Sequence, residues 1–412
     1  MTADDHSGHT CRVCGGKVAE FIDLGQQPTA NGFLLPHEAD QVFLFRLAIG
    51  ACESCTMVQL LDEVPQEFRY HADYRYHASG SASHRRHFQH NAERFLRTEL
   101  TGPDPFIVEI GCNDGVLLGS IAAAGVRHLG VEPSTNVAEI AAAKGVRVVT
   151  EFFDESTAAT IRAEHGTADV VFGANTICHI AHIGSVLRGL DTLLAPNGIF
   201  VFEEPYLGTL IDGLAFDQIY DEHVFYFSAT SVRNMAEQYG LELVDAEHIP
   251  MHGGEIRYTL ARAGARTPAP AVRLLLSDER TRRMSEPETF TTFGHTVTMI
   301  REDLLALLGE LKAGGKRVVG YGAPAKCTTV TNYCGIGPDL VPFVCDSTPA
   351  KQGHLVPGSR LPVRPPTAFA DPYPDYALLF SWNHAEEIMA KENDFRTAGG
   401  RWIHYVPEVR VR

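Results

Sequence analysis

"FIVEIGCNDGVLLGSIAAAG", residues 106–125, is the stretch on which the reading of the chain turns. A short apolar run, "FIVEIG", predicts a buried strand. Glycines at 111 and 115 then mark a tight turn, and "GVLLGSIAAAG" predicts a helix that stops at Gly125. The glycine spacing departs from G-x-G-x-x-G, so a dinucleotide site is not favoured. Without a Cβ, Gly111 and Gly115 let the backbone come close to a ligand.

The same alternation continues outward. "HLGVEP" is a second strand, closed by Glu132, with "NVAEIAAAKG" as its helix and "VRVV" as a third strand. "ADVVFGA", the helix "IGSVLRGLDTLLA" and the strand "GIFVFEEP" follow. The helix "SATSVRNMAEQYG" and the strands "LELVDAEHI" and "EIRYTLAR" complete the series. Strand–helix repetition of this kind predicts a doubly wound parallel sheet with helices on both faces. Upstream, Phe88, Ala92, Phe95 and Leu96 have helical spacing, and Tyr74–Ser83 reads as a loop or lid. Downstream, "AGARTPAPA" reads as a linker and 272–312 as one long helical stretch. A second alternation, "RVVGYGAPAK", "LVPFVCD", "YALLFSW" and "RWIHYV", predicts a smaller Rossmann-like domain. The expected division is 1–80, 81–265 and 266–412, a three-domain α/β chain.

Composition narrows the class. Apolar residues make up 44% and charged residues 21% of the 412, as in a soluble globular protein with ample core. The formal charge of −16 argues against a nucleic-acid partner. There is no long apolar run to span a membrane and no signal-peptide pattern at the N-terminus. Nine cysteines without a regular framework suit a reduced, cytoplasmic protein. Four of them form two knuckles, Cys11-x-x-Cys14 and Cys52-x-x-Cys55, suited to a tetrahedral zinc. Such a closed site has no position for water, so its zinc is expected to be structural.

The pattern E-x-G-x-x-x-G, followed by an acid ending the next strand, resembles the class I S-adenosylmethionine-dependent methyltransferases. That resemblance implies Gly111 and Asn113 in the turn beside the cofactor, Glu132 on the ribose hydroxyls, and Asn175 and His179 of "FGANTICHI" facing the active site. "IYDEHVFYFS" follows the sheet's fifth strand and carries Tyr220, Glu222 and His223. Imidazole titrates near neutrality, so His223 is the expected base, with Tyr220 second; Glu222 would orient or tune it.

Taken with the cysteine pairs, "VEIGCNDG" and "GYGAPAKCTTVTNYCGI", the segment "YDEHVFYFS" makes nearly the whole chain similar to the nucleotide-linked keto-sugar C-methyltransferases of antibiotic deoxysugar pathways. Within them it is most like those on the D-tetronitrose route. The implied reaction is C-methylation at C3 of a TDP-linked 4-keto-deoxysugar, expected to be TDP-3-amino-2,3,6-trideoxy-4-keto-D-glucose, through a base-generated enolate. The ketone acidifies the C3 proton, and Tyr220, Asp221, Glu222 and His223 match the family's motif. Lys326, at the start of a helix after a glycine turn, suits the diphosphate, with Ser381 and Asn383 at another strand end and Asp346 parallel to Glu132. Tyr74, Tyr76, Ser79 and Ser81 are expected to close over the ligand; Asn31 and Phe33 match a family motif without an evident role. The other readings are an O- or N-methyltransferase of a small natural product and a nucleotide-binding interaction protein. Oligomeric state is not legible, and a monomer is compatible with the sequence.

Overall fold

A computed structural model describes residues 9–65 and 77–412. The chain opens with three antiparallel strands, β1 (Val18–Pro28), β2 (Leu44–Cys52) and β3 (Val58–Leu60). Their register sets Val18 opposite Cys52, which brings the knuckle before β1 against the knuckle after β2.

The central sheet is built from β4 (Phe106–Ile110), β5 (Arg127–Val131), β6 (Val148–Val149), β7 (Ala168–Ala174) and β8 (Leu194–Pro205). After a short β9 (Phe225–Tyr226), β10 (Leu241–Ile249) and β11 (Glu255–Arg262) complete it. Its order is β10-β11-β8-β7-β4-β5-β6. The strands from β8 to β6 run parallel, and the β10–β11 hairpin adds antiparallel to β8. All five residues of β4 are buried, as the near-continuous apolar run of a strand covered on both faces requires. β9 does not join this sheet. It pairs with β3, so the "YDEHVFYFS" segment welds the N-terminal sheet to the central domain.

The second alternation forms β12 (Val318–Tyr321), β13 (Val344–Cys345), β14 (Val363–Arg364), β15 (Tyr376–Leu379), β16 (Arg401–His404) and β17 (Arg410–Val411). Their order is β14-β13-β12-β15-β16-β17, parallel except for β17. The fold is therefore a class I methyltransferase-type sheet flanked by a small cysteine-bearing domain and a second Rossmann-like domain.

Two local expectations need correction. The helical stretch 272–312 is two helices, Pro270–Thr281 and Pro287–Ala313. Arg283 turns left-handed between them (φ 55°), and Pro287 begins the second, where its missing N–H costs no helical bond. The Pro/Ala-rich segment is also no free tether. Arg266 bonds Glu99 (2.9 Å) and the Asn197 carbonyl (2.8 Å), and the Ala269 N–H bonds the Val244 carbonyl (2.8 Å). The second helix packs on β1 and β12 and so joins the two outer sheets. Phe290 stacks on Phe21 (4.6 Å between centroids), and a Cβ on Gly294 would lie 2.7 Å from the Phe21 carbonyl oxygen.

Candidate active site

All three units converge on a cavity of about 970 Å³. On one side lies the turn after β4. Gly111 and Gly115 both have positive φ (68° and 74°), and a Cβ on Gly111 would fall 2.5 Å from the Thr176 hydroxyl. Only glycine fits there. Glu132, at the end of β5, accepts the Asn113 N–H on one oxygen and the Ser134 N–H on the other, both at 2.9 Å. Burial raises its pKa above the ordinary carboxylate range even against those two bonds. The Asn113 side chain accepts the Ala78 N–H (2.9 Å), tying the turn to the segment before the first long helix, Ala82–Thr98. A glycine-cleared turn and an aimed acid at the next strand end fit an adenosyl ligand.

Across the cavity, the segment after β8 carries Tyr220, Glu222 and His223. His223 Nδ1 lies 3.0 Å from the Gln218 carbonyl oxygen, which can only accept, so Nδ1 carries the proton. Nε2 then accepts from the Tyr220 hydroxyl at 2.8 Å. Burial first, and His179 next, hold the His223 pKa well below the usual imidazole value, so the ring is neutral and its Nε2 lone pair available. Burial and then the Glu222 charge push the Tyr220 phenol well up, so that group stays protonated. His179 stacks on His223 with centroids 5.4 Å apart. Its turn is held by Glu204, which accepts the N–H groups of Thr176 (3.1 Å), Ile177 (2.7 Å) and Cys178 (3.1 Å). The N-terminal domain braces the motif from outside: the Asn31 amide donates to Glu222 (2.8 Å) and the Ala30 N–H to Asp221 (2.8 Å).

The third wall is the turn after β12, where Gly322 has φ 81° and packs against Ser381. Asp346, ending β13, accepts the Ala323 and Thr348 N–H groups, each at 2.7 Å. Lys326 lies in the first turn of helix Ala325–Tyr333, with Pro324 as the cap residue just before it. Its Nζ sits 4.0 Å from the Trp382 ring centre and donates to Asn383 at 3.3 Å. Burial lowers its pKa; the Asp217 charge opposes that. Lys351 reaches the same turn through the Ala323 carbonyl (2.7 Å) and lies over the Phe33 ring (4.8 Å).

Away from the cavity, the four cysteines form one cluster, with Cys11–Cys55 sulfurs 3.6 Å and Cys14–Cys52 sulfurs 3.5 Å apart. Tetrahedral zinc–thiolate bonds of about 2.3 Å require sulfurs roughly 3.8 Å apart. Backbone N–H groups of Val13, Gly16, Ser54 and Cys55 point at cluster sulfurs, each at 3.4 Å, as thiolate ligands need. The group fits zinc.

Comparison with known proteins agrees with this geometry. Residues 11–70 match a family model described as "Putative zinc binding domain", 82–246 a "Methyltransferase domain", and 250–407 a "C-methyltransferase C-terminal domain". The chain is 37% identical over 406 residues to the C-methyltransferase NovU of Streptomyces niveus, covering 97% of this chain and 96% of that one. The chain belongs to the S-adenosylmethionine-dependent C-methyltransferases. A ubiquinone biosynthesis O-methyltransferase of Colwellia psychrerythraea is 27% identical over 161 residues, 35% of this chain and 64% of that one. Among solved structures, the glycopeptide N-methyltransferase MtfA, complexed with S-adenosylmethionine, covers 42% of this chain and 93% of its own at 13% identity, with a TM-score of 0.33.

In this C-methyltransferase, Gly111, Asn113, Glu132, Asn175, His179, Tyr220, Glu222, His223, Lys326, Ser381 and Asn383 all line the one cavity. Ser79 does not. Its hydroxyl and N–H turn to the buried Asp114 carboxylate, which Lys144 also meets at 3.2 Å, because a buried charge must collect donors. Ser81 caps helix Ala82–Thr98, its hydroxyl accepting the His84 N–H (3.1 Å). Tyr74 and Tyr76 lie outside the described residues.

Several lining groups escaped the sequence reading. Glu203, buried near the C-terminal end of β8, accepts from His87 (2.6 Å), Asn91 (2.9 Å) and Arg257 (2.7 Å). Burial alone would raise its pKa, but these partners hold it below the ordinary value. His84 stacks on His252 (4.9 Å), whose pKa falls to about 3 through burial and the neighbouring His84. The spacing of His84, His87 and Asn91 on one helix face was the available signal. Glu255 had one too, two glycines directly before it.

Proposed function

We propose that this enzyme methylates C3 of a TDP-linked 4-keto-deoxysugar, with TDP-3-amino-2,3,6-trideoxy-4-keto-D-glucose as substrate, in antibiotic sugar biosynthesis. One observation carries the reading: the Tyr220–His223 dyad opens onto the same cavity as the Glu132 turn and the Lys326 turn. A methyl donor, a base and an anion site on one cavity suit a nucleotide sugar better than a small phenol or amine.

Bound S-adenosylmethionine supplies the methyl group. Asn113 and Asn175 frame its place, and Glu132 takes the ribose hydroxyls on the lone pairs its two backbone bonds leave. Lys326 and the amides after Gly322 hold the diphosphate, with Ser381 and Asn383 beside it. His223 removes the C3 proton through Nε2, which requires the Tyr220 hydroxyl to move from that nitrogen to the developing C4 oxyanion. Glu222, fixed by Asn31, orients the dyad, and His179 closes the pocket behind it. Cys11, Cys14, Cys52 and Cys55 hold a structural zinc that keeps the Asn31 brace in place. Four of the nine cysteines gather as the zinc ligands and none is joined in a disulfide, which supports a reducing compartment such as the cytoplasm. Among the described residues no helix is long and apolar enough to cross a membrane.

The test is carbon NMR and mass spectrometry of the TDP-keto-sugar incubated with S-adenosylmethionine. The native enzyme should place a methyl on C3, and His223→Asn should reduce turnover by about 10²-fold or more while both ligands still bind. A methyl on oxygen or nitrogen would refute the reading.

A further inference from the structure

Glu255 opens β11 and lines the cavity, yet its side chain is buried with 1% of its surface exposed. Among the described residues neither carboxyl oxygen has a partner at full hydrogen-bond geometry, and the neutral Asn175 amide lies close enough to favour the charged form slightly. The natural cation is already engaged. Arg257, two residues on, gives its N–H groups to Glu203 (2.7 Å), Glu247 (2.9 Å) and Asn91. Gly253 and Gly254, both at positive φ (94° and 118°), deliver the acid to this place, and a Cβ on Gly254 would come 2.8 Å from Thr209.

Its strand is not one of those that carry the cofactor turn, and Asn175 stands between the two. The cofactor turn sits over β4 and β5, whereas Glu255 lies three strands from β4 on the opposite side, beyond β7 and β8. That is the acceptor's side of the switch point. A buried carboxyl with only a neutral amide beside it, its nearest cation committed elsewhere, is costly when charged, so it calls for a ligand that brings positive charge. We propose that Glu255 is the specificity-determining residue that pairs with a protonated amine on the acceptor, the 3-amino group of the keto-sugar; this rests on the nucleotide-sugar reading above. Burial first, and Glu203 next, push the carboxyl pKa well up, so the free enzyme holds it neutral. An amine arriving neutral takes that proton, and one arriving as ammonium releases the carboxyl proton to solvent. The paired ammonium also acidifies the adjacent C3–H, which assists the proton removal assigned to His223.

The experiment compares kcat/KM of the zinc-loaded enzyme for TDP-4-keto-sugars bearing an amine, a hydroxyl or an acetylated amine at C3, in native protein and Glu255→Gln. The native enzyme should favour the amine over the hydroxyl by about 10- to 100-fold, the worth of one charge-assisted bond, and should reject the acetylated amine. Glu255→Gln should lose most of that preference through the amine substrate, with the KM for S-adenosylmethionine unmoved. An equal fall on all sugars, a native enzyme indifferent to the amine, or a rise in the cofactor KM alone would overturn the proposal while leaving sugar methylation standing. If the variant fails to fold, the native ranking of the three sugars decides it. Native turnover of none of them would instead overturn the nucleotide-sugar reading itself.

Discussion

The chain uses one device twice and adapts it to different charges. After β4 and after β12 a glycine turn leads into a helix, and the acid closing the next strand accepts two backbone N–H groups: Asn113 and Ser134 for Glu132, Ala323 and Thr348 for Asp346. What differs is the company. The first turn faces buried acids, Glu109 and Glu132, and its near lysine, Lys144, is tied to Asp114. The second brings Lys326 and Lys351 to the cavity wall. The lesson is that backbone geometry makes the cradle, while side-chain charge selects its occupant. The acidic turn suits an uncharged ribose and a cationic sulfonium, and the lysine turn suits a diphosphate.

The sharpest way to break this comparison is Glu132→Ala. It strips partners from two buried N–H groups, each worth about 1–3 kcal/mol, and would remove the proposed ribose contact. We expect the KM for S-adenosylmethionine to rise by about 10²-fold or more, with the nucleotide-sugar KM moving little. A comparable rise in both would mean the turns are not independent sites. Lys326→Ala should do the reverse, raising the nucleotide-sugar KM by about 10- to 100-fold and sparing the cofactor. The same lysine sharpens the contrast through pH. Burial lowers its pKa, so its charge is lost as pH rises, before an ordinary lysine would deprotonate. Sugar affinity in steady-state titrations should therefore weaken at alkaline pH, and Lys326→Arg should flatten that fall, since guanidinium keeps its proton. The smallest effect is expected from Asp346→Asn, a few-fold rise in sugar KM, because Asp346 is half-exposed and water can replace what it gives.

Both glycine turns, both closing acids, Lys326 and the four cysteines were legible because each rests on short-range spacing. Tyr220 and His223 were legible too, three positions apart, though not which ring nitrogen carries the proton or that the imidazole is held neutral; that needed the Gln218 carbonyl and the depth of burial. The break at Arg283–Pro287 had a signal in the proline, outweighed by helical spacing on both sides. Ser79 and Ser81 look like ligand groups in a polar stretch. One is claimed by Asp114, 35 positions away, and the other by its own helix start.

The sequence by itself determined the alternation of strands and helices, the two cradles and the thiol knuckles, because apolar periodicity, glycine and paired cysteines act over a few residues. Only the tertiary structure decided which charged groups remain available to a ligand. Glu203, Arg257 and Asn91 meet across 54 to 166 positions and neutralise one another, whereas Glu255, two residues from Arg257, is left facing the cavity. Pairing of buried charges depends on distances in space that no local pattern encodes.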